Sequence, residues 1–277
     1  MFVHERQEIL WRRIKNPEAR EPFTSNTILR ELSFTNINRE VDSGTRFLRQ
    51  QMFQQHHDLT VEVLPQILFQ VITYRHINKR GTFEEFGSIP SSFDEWIMMR
   101  KFIAEKKEED ESFKAFTGAH QVQGEDKVSE LLTRVQEEKT SLAEELLAAT
   151  TLEDCIKLLS SLPHTGSFMS WQILMDLVEL GFIKNKEDEQ TFVQLGPGAL
   201  KGIDKIFGVS SDAMEKSLML SKIMMPAFRL LKLNYKSFLG EEKISIKAIE
   251  HALCEYHKYC EAVKSKKIYL LFCLSIH

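Results

Sequence analysis

Apolar residues recur every three or four positions through most of this chain, and short polar, Pro or Gly breaks separate the runs. That period places them on one face of a 3.6-residue helix, and only 7 prolines and 12 glycines interrupt the pattern, so the expected class is all-α. The spacing predicts helices over 37–55, 60–78, 92–106, 126–147, 152–161, 167–180, 199–207, 211–234 and 245–265. Ahead of them, HERQEILWRRIK forms a helix in an N-terminal arm, 1–31. A Pro-bounded turn follows, in which Thr24, Ser25 or Asn26 caps what comes next. Residues 32–265 are expected as a helical domain, single or in two lobes, and 266–277 as an apolar tail. The terminal IYLLFCLSIH falls short of the roughly 20 residues that a membrane helix needs, so no membrane partner is expected. No repeat of fixed period is visible.

Charge changes the picture by its distribution. The formal net charge is −4, which supplies no global basic field of the kind that announces nucleic-acid binding. Locally, residues 124–156 hold nine acidic against three basic side chains, and 201–236 hold seven basic against three acidic, so a positive surface can form on the second. The run EKKEEDES, 105–112, reads as a solvated helix end. Cysteines 155, 254, 260 and 273 form no paired framework, and MFVHERQEILWRR lacks a secretory apolar core. The expected setting is intracellular: nuclear in a eukaryote, otherwise cytoplasmic.

Several short stretches can carry chemistry. In FTNINREVDSGTRFLRQ, a continuous helix would align Arg39, Asp42, Arg46 and Arg49 in one row, either as a solvated face of weak ion pairs or as an anion site oriented by a carboxylate. In LSSLPHTGSFMSW, Pro163 stops one helix, Gly166 permits a close or left-handed backbone, and Ser167 can cap the next. Such a turn is either an ordinary helix–helix connection or a phosphate-binding helix start. Gly196-Pro197-Gly198, with Lys201 nearby, is either an anion cradle or a tight turn. His251, Cys254, His257 and Cys260 recur every three residues, but each step turns by roughly 60°, so the four cannot converge on one tetrahedral ion and no metal is expected. The Met-rich SLMLSKIMMPAFRLL reads as core, kinked at Pro226.

The LPHTG turn resembles the helix-hairpin-helix of the DNA glycosylase superfamily, Leu-Pro-Gly-x-Gly, with His164 at the first glycine. Phe168 stands where some of those enzymes carry a catalytic lysine, and the Gly196 loop stands near the position of their aspartate. Ordinary glycosidic-bond cleavage is therefore not expected. Five ordered stretches, FTNINREVDSGTRF, KAFTGAHQV, SFMSWQILMDL, LGPGALKG and AIEHALCEYHKY, resemble a more specific family over residues 24–262. It comprises the helical domain of phage-type 5-hydroxymethyluracil DNA kinases and the related alpha-glutamyl/putrescinyl-thymine pyrophosphorylases. The implied fold is an all-α, helix-hairpin-helix, DNA-glycosylase-like multi-helix domain.

Carried onto this chain, the resemblance assigns Asn36, Arg39, Glu40, Asp42 and Arg46 to the first motif, and Thr117 and Gly118 to the second. Gln172 and Asp176 belong to the third, Gly196 and Gly198 to the fourth, and Glu255 and Lys258 to the fifth. The chain departs from the pattern at Ser43, where an arginine is usual, at His120, where an aromatic is usual, and at His257, where an aspartate is usual. The implied chemistry is transfer or substitution at a pyrimidine 5-hydroxymethyl group in DNA. Arg39 and Arg46, oriented by Asp42, would stabilise departing negative charge, and Glu255 would act as base. His164, Gly166, Ser167 and Lys201 join the residues expected to engage DNA. No GxxxxGK[ST] occurs, so the chain is not expected to phosphorylate by itself; a separate kinase or other DNA-modification enzyme is the implied partner, and no cofactor is implied. The alternative is a non-catalytic DNA-binding or scaffold protein that keeps the fold.

Overall fold

The structure is a computed structural model that describes residues 2–20, 22–36, 39–117, 124–208, 220, 222, 226, 234–237, 240–243 and 245–274, with only the backbone described over 234–243 and 266–274. It is helical apart from one short antiparallel pair, β1 (Asn234–Ser237) and β2 (Gly240–Lys243). The chain divides into two compact units: residues 1–42 with 193–277, and residues 43–192.

The first unit opens with α1 (Phe2–Lys15), whose buried face carries Arg6 and Ile9. Arg12 donates to the carbonyl of Phe23 and Thr24 to Glu5, so the Pro-bounded turn folds back along this helix. Of the three capping candidates, Asn26 starts α2 (Thr27–Glu31): its side chain accepts from the amides of Ile28 and Leu29. Later come α10 (Pro197–Phe207) and α11 (Ile246–Leu274), the second continuing as helical backbone through the stretch expected as a tail. A Cβ at Gly202 would overlap the Leu253 carbonyl, and one at Gly198 would overlap the Cys254 sulfur, so the two helices meet where α10 has no side chain. The predicted 211–234 helix, the Met-rich stretch included, lies almost wholly outside the described residues.

The second unit is built around α4 (Leu64–Ile77), in which Ile67 through Ile77 are all buried. A helix apolar on every side must be covered on every side. Its neighbours include α3 (Ser43–His56), α7 (Glu125–Ala148) and α9 (Ser167–Glu179). Gly87 ends α5 (Arg80–Phe86) in the left-handed conformation, and Ser92 caps α6 (Phe93–Glu109), accepting from the Glu95 amide. The charged 105–112 run is the solvated end of α6 and the turn beyond it. Thr151 caps α8 (Leu152–Ser160), and Asp188 accepts from the amides of Leu152 and Glu153 at the same helix start.

Two expectations about local structure are corrected. The 37–55 helix begins only at Ser43; residues 39–41 form a separate 3-10 turn, so Arg39 and Asp42 do not continue the row of Arg46 and Arg49 on one α-helix. At the hairpin, Gly166 itself is the N-cap, with φ −75°, and Ser167 is the first helical residue rather than the cap. The left-handed conformation in this turn falls on His164, φ 58°, and not on Gly166.

Candidate functional site

In the first unit, α1 and α11 clamp the FTN stretch between them. Arg6 is 6% exposed and donates through Nη2 to the Phe34 carbonyl at 2.7 Å and the Thr35 carbonyl at 3.2 Å. From α11, Glu255 accepts the Thr35 amide at 2.9 Å, and His251 Nε2 lies 2.9 Å from the Thr35 hydroxyl. Lys258 donates to the Ser33 carbonyl, with its ammonium 5.0 Å from the centre of the Phe34 ring. Beneath them Phe2 packs on Phe34 and Tyr259, with ring centres 5.9 and 5.2 Å apart. Burial pushes the Arg6 guanidinium below its ordinary value, and the carboxylates of Glu255 and Asp42 oppose that shift.

Arg6 is the residue that sequence reasoning missed. Its signal was present: Phe2, Arg6 and Ile9 follow helical spacing, which puts a cation in an apolar row. Arg39 and Glu40 lie half-buried in the 3-10 turn. Asp42 donates its amide to the Arg39 carbonyl, and Asn36 reaches the Val41 carbonyl at 3.5 Å. Arg46 is exposed on the first turn of α3, in the other unit.

At the start of α10, the Gly196 amide donates to Glu250 Oε1 at 3.4 Å, and Glu250 is 7% exposed. A carboxylate of the protein itself thus stands at this helix N-terminus, where the dipole favours negative charge. Gly198 packs against Cys254, whose thiol is pushed up to about 11 by burial, with the Glu250 and Glu255 charges adding to the effect. Among the described residues no three His, Cys, Asp or Glu side chains gather around a metal position. His251, Cys254 and His257 meet different neighbours: Thr35, Gly198 and the lysines of α10.

The second unit holds the remaining candidates. Asp176 is fully buried and accepts through both oxygens from Arg75 of α4, Oδ2 from Nε and Oδ1 from Nη2. That arrangement ties α9 to α4 and keeps the carboxylate away from solvent and from any DNA at the surface. Gln172 is half-buried and makes no side-chain hydrogen bond among the described residues. Thr117 donates its amide to the Ile77 carbonyl, and Thr82 donates to the Ala115 carbonyl, which pins the KAFT segment to the end of α4 and to α5; Gly118 lies outside the described residues. At the hairpin Gly166 and Ser167 are exposed, and His164 lies 2.7 Å from Glu130 of α7. A cavity of about 480 Å³ beside the hairpin is lined by Glu130, Thr133, Arg134, Glu137 and Pro163.

A family model described as the helical domain of 5-hmdU DNA kinase matches residues 1–268. The chain belongs to this family. A 5-hmdU DNA kinase of Bacillus phage SP10 is 23% identical over 280 residues, covering 92% of this chain and 43% of the relative. The chain thus spans less than half the length of that curated relative. No solved structure matches. Among the described residues no helix is long and apolar enough to cross a membrane.

Proposed function

We propose that this chain engages hydroxymethylated pyrimidine in DNA and presents it for chemistry at the 5-hydroxymethyl group. The observation that carries the reading is the match to the kinase helical domain over residues 1–268, together with the 5-hmdU DNA kinase named as a relative. The α8–LPHTG–α9 hairpin supports it. His164 takes the left-handed φ suited to the first glycine of a helix-hairpin-helix, and the start of α9 at Gly166 and Ser167 is open to a backbone phosphate. Glu130 and Glu137 next to this hairpin limit it to a few contacts, so binding there is weak and falls with salt. A base inside a duplex must leave the stack to be handled at its 5-position by an enclosed site. With no GxxxxGK[ST] in the sequence, ATP-dependent phosphorylation belongs to a separate kinase segment or protein.

A second reading has its own observation. Arg6, Asp42, Glu255 and Lys258 put cations and carboxylates together in one unit, the set that substitution with a departing anion requires. Against a transfer step there, Glu255 and Lys258 hold backbone groups of Thr35 and Ser33. Binding without catalysis is therefore the better-supported role for this chain alone. The test is a salt titration on plain and 5-hydroxymethyluracil duplexes, followed by mass spectrometry of nucleosides after incubation with hydroxymethylated and pyrophosphorylated DNA. Preferential, salt-dependent binding to the modified duplex without a new nucleoside is expected. A new nucleoside would establish the transfer reading, and equal, negligible binding to both duplexes would end both.

A further inference from the structure

The first unit carries a second polar feature, separate from the Arg6 cluster. On α10, Lys201, Asp204 and Lys205 follow one another at helical spacing, and on α11 His257, Glu261 and Lys264 do the same. Because Gly198 and Gly202 bring the two helices close, these faces form the walls of an open groove of about 640 Å³. Lys205 reaches Glu261 across the groove at 2.9 Å, and Lys264 reaches the same carboxylate at 3.5 Å. Glu261 therefore fixes two ammonium groups in place while each keeps donors to spare. Among the described residues, exposed Lys201 has no ion-pair partner and the buried Nδ1 of His257 has no hydrogen-bond partner. Three lysines against two carboxylates leave a local positive excess in a chain whose total is −4.

We infer that the α10–α11 groove is a phosphate-binding site, in which Lys201, Lys205 and Lys264 receive the oxygens of a phosphate group. The phosphate comes either from a DNA backbone or from a free phosphate ester or pyrophosphate; both present the same oxygens to the same ammonium groups. Only the first source rests on the proposed DNA reading.

The test compares the full chain with K201E/K264E, both at exposed positions, and with K101E/K127E, an equal charge change in the other unit. Two probes are titrated: a plain DNA duplex over a salt series, and inorganic pyrophosphate at constant ionic strength. Circular dichroism checks that each variant keeps its helical signal. For K201E/K264E, duplex affinity is expected to fall at least about 10-fold and the salt slope by about 2, while K101E/K127E stays within about two-fold of the parent. If the groove variant loses only pyrophosphate binding and the parent never binds duplex, the groove stands with a free phosphate as its ligand, and the DNA reading falls. If duplex binding persists and K201E/K264E weakens neither probe, or K101E/K127E weakens them equally, the groove proposal is overturned and the DNA reading remains.

Discussion

Both units carry buried and exposed charges, but they put their motif carboxylates to different uses. In residues 43–192 the motif carboxylate Asp176 is fully buried and pairs with Arg75, which locks α9 to α4. In residues 1–42 with 193–277, buried Arg6 and Glu250 hold backbone groups, Glu255 and Lys258 clamp Thr35 and Ser33, and Lys201, Lys205 and Lys264 lie along an open groove. A motif acidic residue can thus be scaffold in one unit and part of a candidate site in the other. The difference lies in desolvation: the Asp176 side chain is fully buried and must be paired to be tolerated, whereas the Glu255 side chain keeps 13% exposure.

The strongest way to break this contrast is at Asp176. Asp176→Leu removes both carboxylate hydrogen bonds from the buried Arg75 guanidinium and is expected to cost about 3–5 kcal/mol in urea unfolding, with Arg75→Met in the same chain restoring much of that loss. A loss below about 1 kcal/mol would mean that the pair is solvated and comparable to the surface pairs. Gly202→Ala comes next. Its Cβ would meet the Leu253 backbone, so a loss of about 1–3 kcal/mol is expected in thermal unfolding, together with weaker phosphate binding as the groove widens. Gly198→Ala meets only the end of the Cys254 side chain and should cost less; equal losses at the two positions would show that α10 shifts as a whole.

The smallest effect concerns pH. Burial, and less strongly Lys201, Lys205 and Lys264, push the His257 imidazole below its ordinary value, while Glu261 opposes the shift. Asp204 lines the same groove. The unfolded chain therefore binds this proton at a higher pH than the folded one. Stability from His257 is complete above about pH 6.5 and is lost as pH falls towards the depressed value. His257→Asn should flatten that part of a pH series of urea midpoints, and an unchanged slope would place the imidazole in solvent.

Much of the helical architecture was legible beforehand, because amphipathic spacing reports burial directly. The predicted 126–147, 152–161 and 167–180 helices appear as Glu125–Ala148, Leu152–Ser160 and Ser167–Glu179. The start of α3 is ambiguous in the sequence, because Val41 is apolar and in phase with Leu48 while Asp42 and Ser43 suit a break equally well. The 3-10 turn at 39–41 decided it, and with it the single row of arginines disappeared. The short α5 was missed because seven residues hold too few periods to stand out. For the candidate site, Glu255 and Lys258 came from the motif, whereas Arg6 lies more than two hundred residues away in sequence and only packing brings it to Glu255.

The sequence by itself determined the class, the helix-forming stretches, the turn at LPHTG and the family motifs, because each depends on residues a few positions apart. Only the tertiary structure decided what the motif residues do. It buried Asp176 against Arg75, gave the Gly196 amide to Glu250, pressed Gly202 onto Leu253, and faced Lys201 and Lys205 towards His257 and Lys264. Those outcomes depend on which side chains meet across long sequence separations and on how much water they keep, and helical periodicity specifies neither.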